Sequence, residues 1–305
     1  MNRLVAIIGP TATGKSCLVL RLAQDFNGEI VSADSRQVYR HMDIGTAKPS
    51  QQELSRVRHH LIDIVNPDED FSLAQYQQLA YQAIDDIQQS NKLALLVGGS
   101  GLYVWAVLVG WGIPQVPPDP EFRRSLKEKV DRGEAEELYQ ELVRVDPVAA
   151  QRIDRRNARR LIRALEVYRY GEAPFSQLQR KEAPPFSAIV IGLTADRTEL
   201  YRRIDSRVDR MVEQGLVEEV RKLVNMGYDF NLPAMSGIGY KQIGMFLRGE
   251  LTLAATIQQI KFETHRFVRH QHNWFRLKDK RIRWFDIQGE VESEIRAQVA
   301  GFISG

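Results

Sequence analysis

A short apolar run, "RLVAII" at residues 3–8, leads directly into "GPTATGKS" at residues 9–16. No other stretch constrains the fold as strongly. The pattern G-x-x-x-x-G-K-[ST] needs a strand before it and a helix after it, because the loop makes a tight turn whose backbone N–H groups converge on an anion. Gly9 and Gly14 permit the turn and Pro10, Thr11, Ala12 and Thr13 span it. Lys15 adds a mobile positive charge, and Ser16 offers a hydroxyl to Mg²⁺. A di- or triphosphate fits such a cradle. The loop predicts a parallel sheet with phosphates at its carboxyl edge and leaves the reaction open.

The pattern that follows repeats the strand-then-helix rhythm. "EIVSAD" at residues 29–34 reads as a second strand. Ser72, with Gln75 three residues on, forms a capping-box pattern opening a helix through about Gln89, and "LALLVGG" at 93–99 is another apolar strand. Alternating strands and helices predict crossovers and a parallel sheet. Then "IPQVPPDP", residues 113–120, places four prolines in eight positions and can continue neither a helix nor a central strand. From Glu121 to about Gln179 the period is helical and the composition charged. A second proline break, "APPF" at 183–186, precedes the strand "SAIVIGL" at 187–193, amphipathic helices, a short strand "IRWFDI" and a terminal helix. The predicted fold class is therefore α/β: a P-loop parallel-sheet core from residues 1–115 and 183–305, with an inserted all-helical subdomain at 116–182.

The chain of 305 residues is 43% hydrophobic, enough for a sizeable core, and no apolar run approaches the ~18 residues of a membrane span. The start of the chain lacks a signal-peptide pattern, so a cytoplasmic protein with no membrane partner is expected, and a monomer, since no heptad seam stands out. The single cysteine, Cys17, reads as a small packed residue. A net charge of +3 conceals two basic stretches: residues 150–170 carry +5 and residues 261–283 carry +6. Two such patches on an otherwise acidic chain point to a polyanion larger than a nucleotide; solvated helix faces are the plainer alternative.

In open α/β sheets, ligands meet the residues just after each strand. Three such segments should converge: the phosphate loop, "DSRQVY" at 34–39 and "GGSGLY" at 98–103. Asp34 would stand beside the phosphates as a base or metal ligand, or merely serve the turn, while Ser35 and Gln37 offer groups to read a polar ring. Where many nucleotide hydrolases end a strand with an acid, this chain has Gly98 and Gly99, which argues against an ATPase motor. The two glycines would leave room for a ligand, and Ser100 adds a hydroxyl.

"GPTATGKS", "DSRQVY", "MDIGTAKP", "GGSGLY", "DPVAAQRID", "RRLIRALEVY", "RRIDSRVDRMVEQGLVEEV", "GIGYKQ" and "HNWFR" stand in the order and at the spacing that resemble the tRNA dimethylallyltransferases, also called tRNA isopentenyltransferases. The resemblance runs from about residue 4 to 285. It implies transfer of a dimethylallyl group from dimethylallyl diphosphate to N6 of adenosine 37 beside the anticodon, with Mg²⁺, and with the loop from Gly9 to Ser16 cradling the leaving diphosphate. Asp34 matches the family's catalytic aspartate, Arg207 the arginine that grips the diphosphate, and Ser100 a hydroxyl position, usually Thr, near the reacting adenosine; Lys15 acts on the leaving group. Ser35, Arg36 and Gln37 would face the base with Asp34 and Ser100. Arg123, Arg159, Arg160 and Arg163 match the segment that contacts the tRNA anticodon stem-loop, while Arg155 and Arg169 could be only solvated.

Two departures stand out. Ser100 keeps the hydroxyl and loses a methyl, and "THRFVRHQHNWFR" carries His265, His270 and His272 where the family has more Arg and Lys, which weakens tRNA contacts there at neutral pH. Two alternatives remain open at this level. A P-loop kinase binding ATP would use Lys15 and Ser16 but leave the arginine-rich insertion idle, and a non-catalytic RNA-binding module would leave Asp34 idle.

Overall fold

The computed structural model describes residues 2–171, 173–178 and 181–305, so the expected helical limit at Gln179 lies outside the described residues. The chain divides into two compact units, the first formed by residues 1–108 and 185–305 and the second by Val109–Pro184.

The first unit is built on a six-stranded sheet. In chain order its elements are β1 (Arg3–Ile8), α1 (Lys15–Asp25), β2 (Gly28–Ser32), α2 (Gln51–Arg56), β3 (His59–His60), α3 (Leu73–Gln89), β4 (Leu93–Gly98) and α4 (Gly101–Val109). The strand order is β3-β2-β4-β1, continued by the later strands β5 (Ser187–Thr194) and β6 (Ile282–Asp286), and every pairing is parallel. β1 lies between β4 and β5, so Leu4, Val5, Ala6, Ile7 and Ile8 are all fully buried, and the strand reads as a continuous apolar run instead of alternating. α1 presents Leu18, Val19, Leu22 and Ala23 to a core that also holds Val5, Ile7, Leu95 and Ile191. The capping box before α3 forms as its sequence predicts: Ser72 Oγ accepts the Gln75 N–H at 3.2 Å, and Gln75 Oε1 accepts the Ser72 N–H at 2.8 Å. Because the strands run the same way, their carboxyl ends share one edge. That edge gathers residues 9–16, 33–37 and 98–100.

The second unit is helical: α5 (Pro120–Asp131), α6 (Ala135–Val145), α7 (Pro147–Arg152), α8 (Ala158–Tyr170) and α9 (Phe175–Leu178). Leu126, Leu138, Leu142, Ala149, Ile153, Leu161 and Leu165 form its core. It begins ahead of the expected residue 116 because the proline-rich stretch is tied to it: the Glu182 N–H donates to Gly110 O at 2.8 Å, Trp111 and Lys181 form an antiparallel bridge, and Arg163 Nη2 donates to Pro114 O at 3.1 Å. At its centre Glu166 is fully buried. Arg123 grips that carboxylate with two hydrogen bonds of 2.8 Å, Arg163 Nη1 donates at 2.6 Å, and the Asp119 N–H at 2.8 Å. Burial by itself would raise the Glu166 pKa, but these donors hold it below the usual carboxylate range.

Two of the four arginines expected to contact RNA therefore have work inside the fold. Arg123 and Arg163 neutralise a buried acid, whereas Arg159 and Arg160 are exposed on α8 and, among the described residues, have no ion-pair partner. Arg169, expected to be only solvated, lies 4.7 Å over the Phe122 ring.

The first unit continues after β5 with α10 (Arg197–Glu213), α11 (Leu216–Asn225), α12 (Tyr240–Leu247), α13 (Leu253–Trp274), β6 and α14 (Glu292–Ser304). α14 sends Ile295 and Val299 into the same core as α1. Among the described residues no helix is long and apolar enough to cross a membrane.

Candidate functional site

At the carboxyl edge of the sheet lies a cavity of about 1010 Å³, lined wholly by residues of the first unit. Its floor is the phosphate loop. Gly9 has φ 140° and Gly14 φ 79°, and a side chain at Gly9 would collide with the Leu193 carbonyl at the end of β5. Thr13, buried, closes the turn by donating its hydroxyl to Pro10 O at 2.9 Å, and Lys15 Nζ donates to the same carbonyl at 2.6 Å. Gly9, Pro10 and Thr13 are thus framework, while Thr11, Ala12, Gly14, Lys15 and Ser16 line the cavity. The N–H groups of Lys15 and Ser16 belong to the first turn of α1 and have no acceptor within the helix, which is the arrangement that binds an anion.

The second wall comes from the end of β2. Asp34 Oδ1 accepts the Arg36 N–H at 2.8 Å, so part of its role is the local turn, and its carboxylate lines the cavity with Lys15 and Ser16. The Ser35 N–H donates to Ser100 Oγ at 3.1 Å, and the two hydroxyls are 3.3 Å apart. Gln37 lines the cavity too, but its amide is committed inward. Nε2 donates to Thr46 O at 3.3 Å and Ala47 O at 3.2 Å, and Oε1 accepts the Ser32 hydroxyl at 3.0 Å. Arg36 donates to Pro233 O at 2.9 Å and so anchors the turn on the segment before α12. Behind Asp34 the rings of Tyr76 and Tyr103 stack at 3.8 Å, and burial pushes both phenols well up.

The third wall is one face of α10. Arg203, Arg207 and Arg210 recur at i, i+4 and i+7 and line the cavity, with Ile204, Val208 and Met211 packed beside them. Lys15 feels this crowding. Burial and then the charge of Arg207 push its pKa down to about 7, against the opposing pull of Asp34. A site where cations outnumber the carboxylates of Asp34 and Glu53, beside a loop of free N–H groups, is suited to hold a phosphate chain next to a group that accepts a proton.

The glycines that end β4 serve differently from their expected role. They line the cavity, but a side chain at Gly98 would collide with the backbone of Ala33, and one at Gly99 with the Gln271 amide. Their missing side chains make room for the protein's own backbone and for Gln271 as much as for a ligand.

Several residues of the site were not singled out from the sequence. Glu219 of α11 accepts four hydrogen bonds: from the N–H groups of Asp43, Ile44 and Gly45 at 2.9, 2.7 and 3.1 Å, and from the Tyr240 hydroxyl at 2.6 Å. It fixes the loop that carries "MDIGTAKP". Its signal was only the block in which it stands. The arginine spacing on α10 was readable as a helix face. Gln271, 4% exposed, sits on the buried stripe Ile260, Val268, Phe275, and a polar residue at such a position is itself a signal. Of the three histidines of α13, His265 stacks on Tyr201 at 4.0 Å with Nε2 2.9 Å from Asp205 Oδ1.

Residues 37–278 match the family model described as IPP transferase. The chain is 48% identical over 301 residues to the tRNA dimethylallyltransferase of Dehalococcoides mccartyi, covering 99% of this chain and 93% of that one. It is 52% identical over 276 residues to that of Chloroflexus aggregans, covering 90% and 93%. Among solved structures it is similar to the tRNA isopentenylpyrophosphate transferase of Bacillus halodurans, with TM-score 0.74, 40% identity and coverage of 100% and 97%. It is also similar to a eukaryotic dimethylallyltransferase acting on tRNA, with TM-score 0.82, 26% identity and coverage of 100% and 80%. With the phosphate loop, the Asp34 turn and the arginine face of α10 at one sheet edge, and with these matches over nearly its whole length, the chain belongs to the IPP transferase family.

Proposed function

We propose that the protein transfers a dimethylallyl group from dimethylallyl diphosphate to N6 of adenosine 37 in the tRNA anticodon loop. The observation that carries this is the placement of Asp34 in one cavity with Lys15 and Arg207, in a chain whose relatives are named for that reaction. The phosphate loop and Arg207 hold the diphosphate. The amine of the flipped adenine attacks C1 of the dimethylallyl group, the C1–O bond breaks toward the diphosphate, and the N6 proton passes to the free oxygen of Asp34. Loop nucleotides are unpaired, so turning the base out costs only a few kcal/mol. Lys15 and Arg207 stabilise charge that grows on the leaving group.

Ser16 fits Mg²⁺ in the manner that ion prefers, as a protein ligand with phosphate oxygens and water completing its shell. No group of three or more acidic, His or Cys side chains converges among the described residues. When bound, the ion would neutralise the departing diphosphate.

Arg159 and Arg160 hold the tRNA backbone from the helical unit, and the protein works as a cytoplasmic monomer. A kinase would use the same loop, but the family to which the chain belongs weighs against it.

The replacement of Asp34 by Asn should lower kcat about 10²- to 10⁴-fold with little change in tRNA affinity. Rapid-quench measurement of prenylated stem-loop checks this, and near wild-type turnover would remove the assigned role. Binding of dimethylallyl diphosphate should take up a proton, because Lys15 starts at about 7 and is held protonated beside the diphosphate. Below pH 7 the lysine is already charged, so the affinity gain is complete there; above it, Kd should rise up to about tenfold per pH unit. Calorimetry from pH 6 to 9 should show this for the native protein and a flat profile for Lys15→Met. For the helical unit, Arg159→Ala or Arg160→Ala should weaken tRNA binding and flatten the slope of log K against log salt by about one unit each. Arg123→Ala and Arg163→Ala should instead lower unfolding stability, because each removes one of the two guanidinium groups that neutralise the buried Glu166. Salt titrations and urea unfolding of the four variants separate the two roles, and equal salt slopes throughout would return α8 to a merely solvated face.

A further inference from the structure

We propose that Gln271 is a positioning residue that sets the spacing between the diphosphate cradle and Asp34. It stands near the end of α13, far along the chain from either, and both ends of its amide are used. Oε1 accepts the Thr11 N–H at 3.0 Å, and Nε2 donates to Gly99 O at 3.0 Å. The two partners require this orientation of the amide, since a backbone N–H can only donate and a carbonyl can only accept. The side chain therefore pins the outer limb of the phosphate loop to the turn after β4. That turn is in turn seated on the end of β2, where Gly98 lets the Ala33 backbone approach and Asp34 follows. The Ser100 N–H donates to Ala33 O at 3.3 Å and closes the chain of contacts. Loop, β4 turn and Asp34 turn thus form one connected frame, with Gln271 as the piece supplied from outside the sheet.

Thr11 is the loop residue so held, which leaves the N–H groups of Lys15 and Ser16, further along, to face the phosphates. Gly99 is required in this arrangement because its side-chain position is filled by the Gln271 amide. Without the bridge the loop would still form, closed by Thr13 on Pro10, but its distance from Asp34 would be free to drift. A misplacement of about 1 Å is enough to cost on the order of 10²-fold in rate.

This inference rests on the proposed prenyl transfer for its kinetic readout, so binding of inorganic diphosphate with Mg²⁺ supplies a separate one. Gln271→Met keeps the volume and removes both hydrogen bonds. It should raise the Kd for inorganic diphosphate and the KM for dimethylallyl diphosphate about tenfold and lower kcat about tenfold or more, while the KM for tRNA stays within twofold. A role in stability alone would lower the unfolding temperature and leave these ratios unchanged. Gly99→Ala, which keeps Gln271 but places a methyl group 2.4 Å from its Nε2, should give the same pattern, and the double variant Gly99→Ala, Gln271→Ala should be no worse than Gln271→Ala. Either folded single variant binding diphosphate and turning over dimethylallyl diphosphate as the native protein does would overturn the assignment. Failure of the native protein to prenylate a stem-loop would refute the proposed reaction, and the diphosphate affinities would still decide the role of Gln271.

Discussion

The site depends on backbone approaching backbone at the carboxyl edge of the sheet. Gly9 lies against the Leu193 carbonyl, and Gly98 lies against Ala33, at distances that leave no space for a side chain on either glycine. These contacts bring the phosphate loop, the Asp34 turn and the end of β5 into one wall. A methyl group at Gly98 would have to push β2 from β4 or rotate the Asp34 turn, and both movements would carry the carboxylate away from the loop. The buried apolar strands β1, β4 and β5 make such accommodation expensive because their side chains are already packed on both faces.

Within that wall the electrostatics are unbalanced in favour of an anion. Lys15, Arg203, Arg207 and Arg210 share a cavity with Asp34, and the price of that crowding is visible in the lysine, whose pKa falls to about 7. In the proposed reaction a bound diphosphate relieves the repulsion, and the cations stabilise leaving-group charge. In the proposed reaction the carboxylate beside them has a second function besides its turn, as acceptor of the proton that leaves N6.

The sequence was most informative where chemistry and local geometry coincide. The phosphate loop announced its strand and helix, the capping box at Ser72 and Gln75 announced α3, and the proline-rich stretch at 113–120 announced a break. The strand-end rule located the segments that gather at the sheet edge. What pattern could not supply was the occupant of each contact. Arg123 and Arg163 look like Arg159 and Arg160 in a basic run, and only the buried position of Glu166 separates them. The amide of Gln37 looked free to read a base, yet its partners are carbonyls of its own loop. Gln271 and Glu219 act across long chain separations, which no local period reports.

In the proposed reaction this loop holds a leaving diphosphate and not a phosphoryl group to be transferred. Dimethylallyl diphosphate labelled separately in its prenyl carbon and its phosphorus, incubated with the native protein and an unmodified anticodon stem-loop, tests it in a single reaction. Prenyl transfer puts the carbon label in the RNA and the phosphorus label in free diphosphate, in equal amounts; phosphorus in the RNA, or turnover of ATP in place of the prenyl donor, would contradict it.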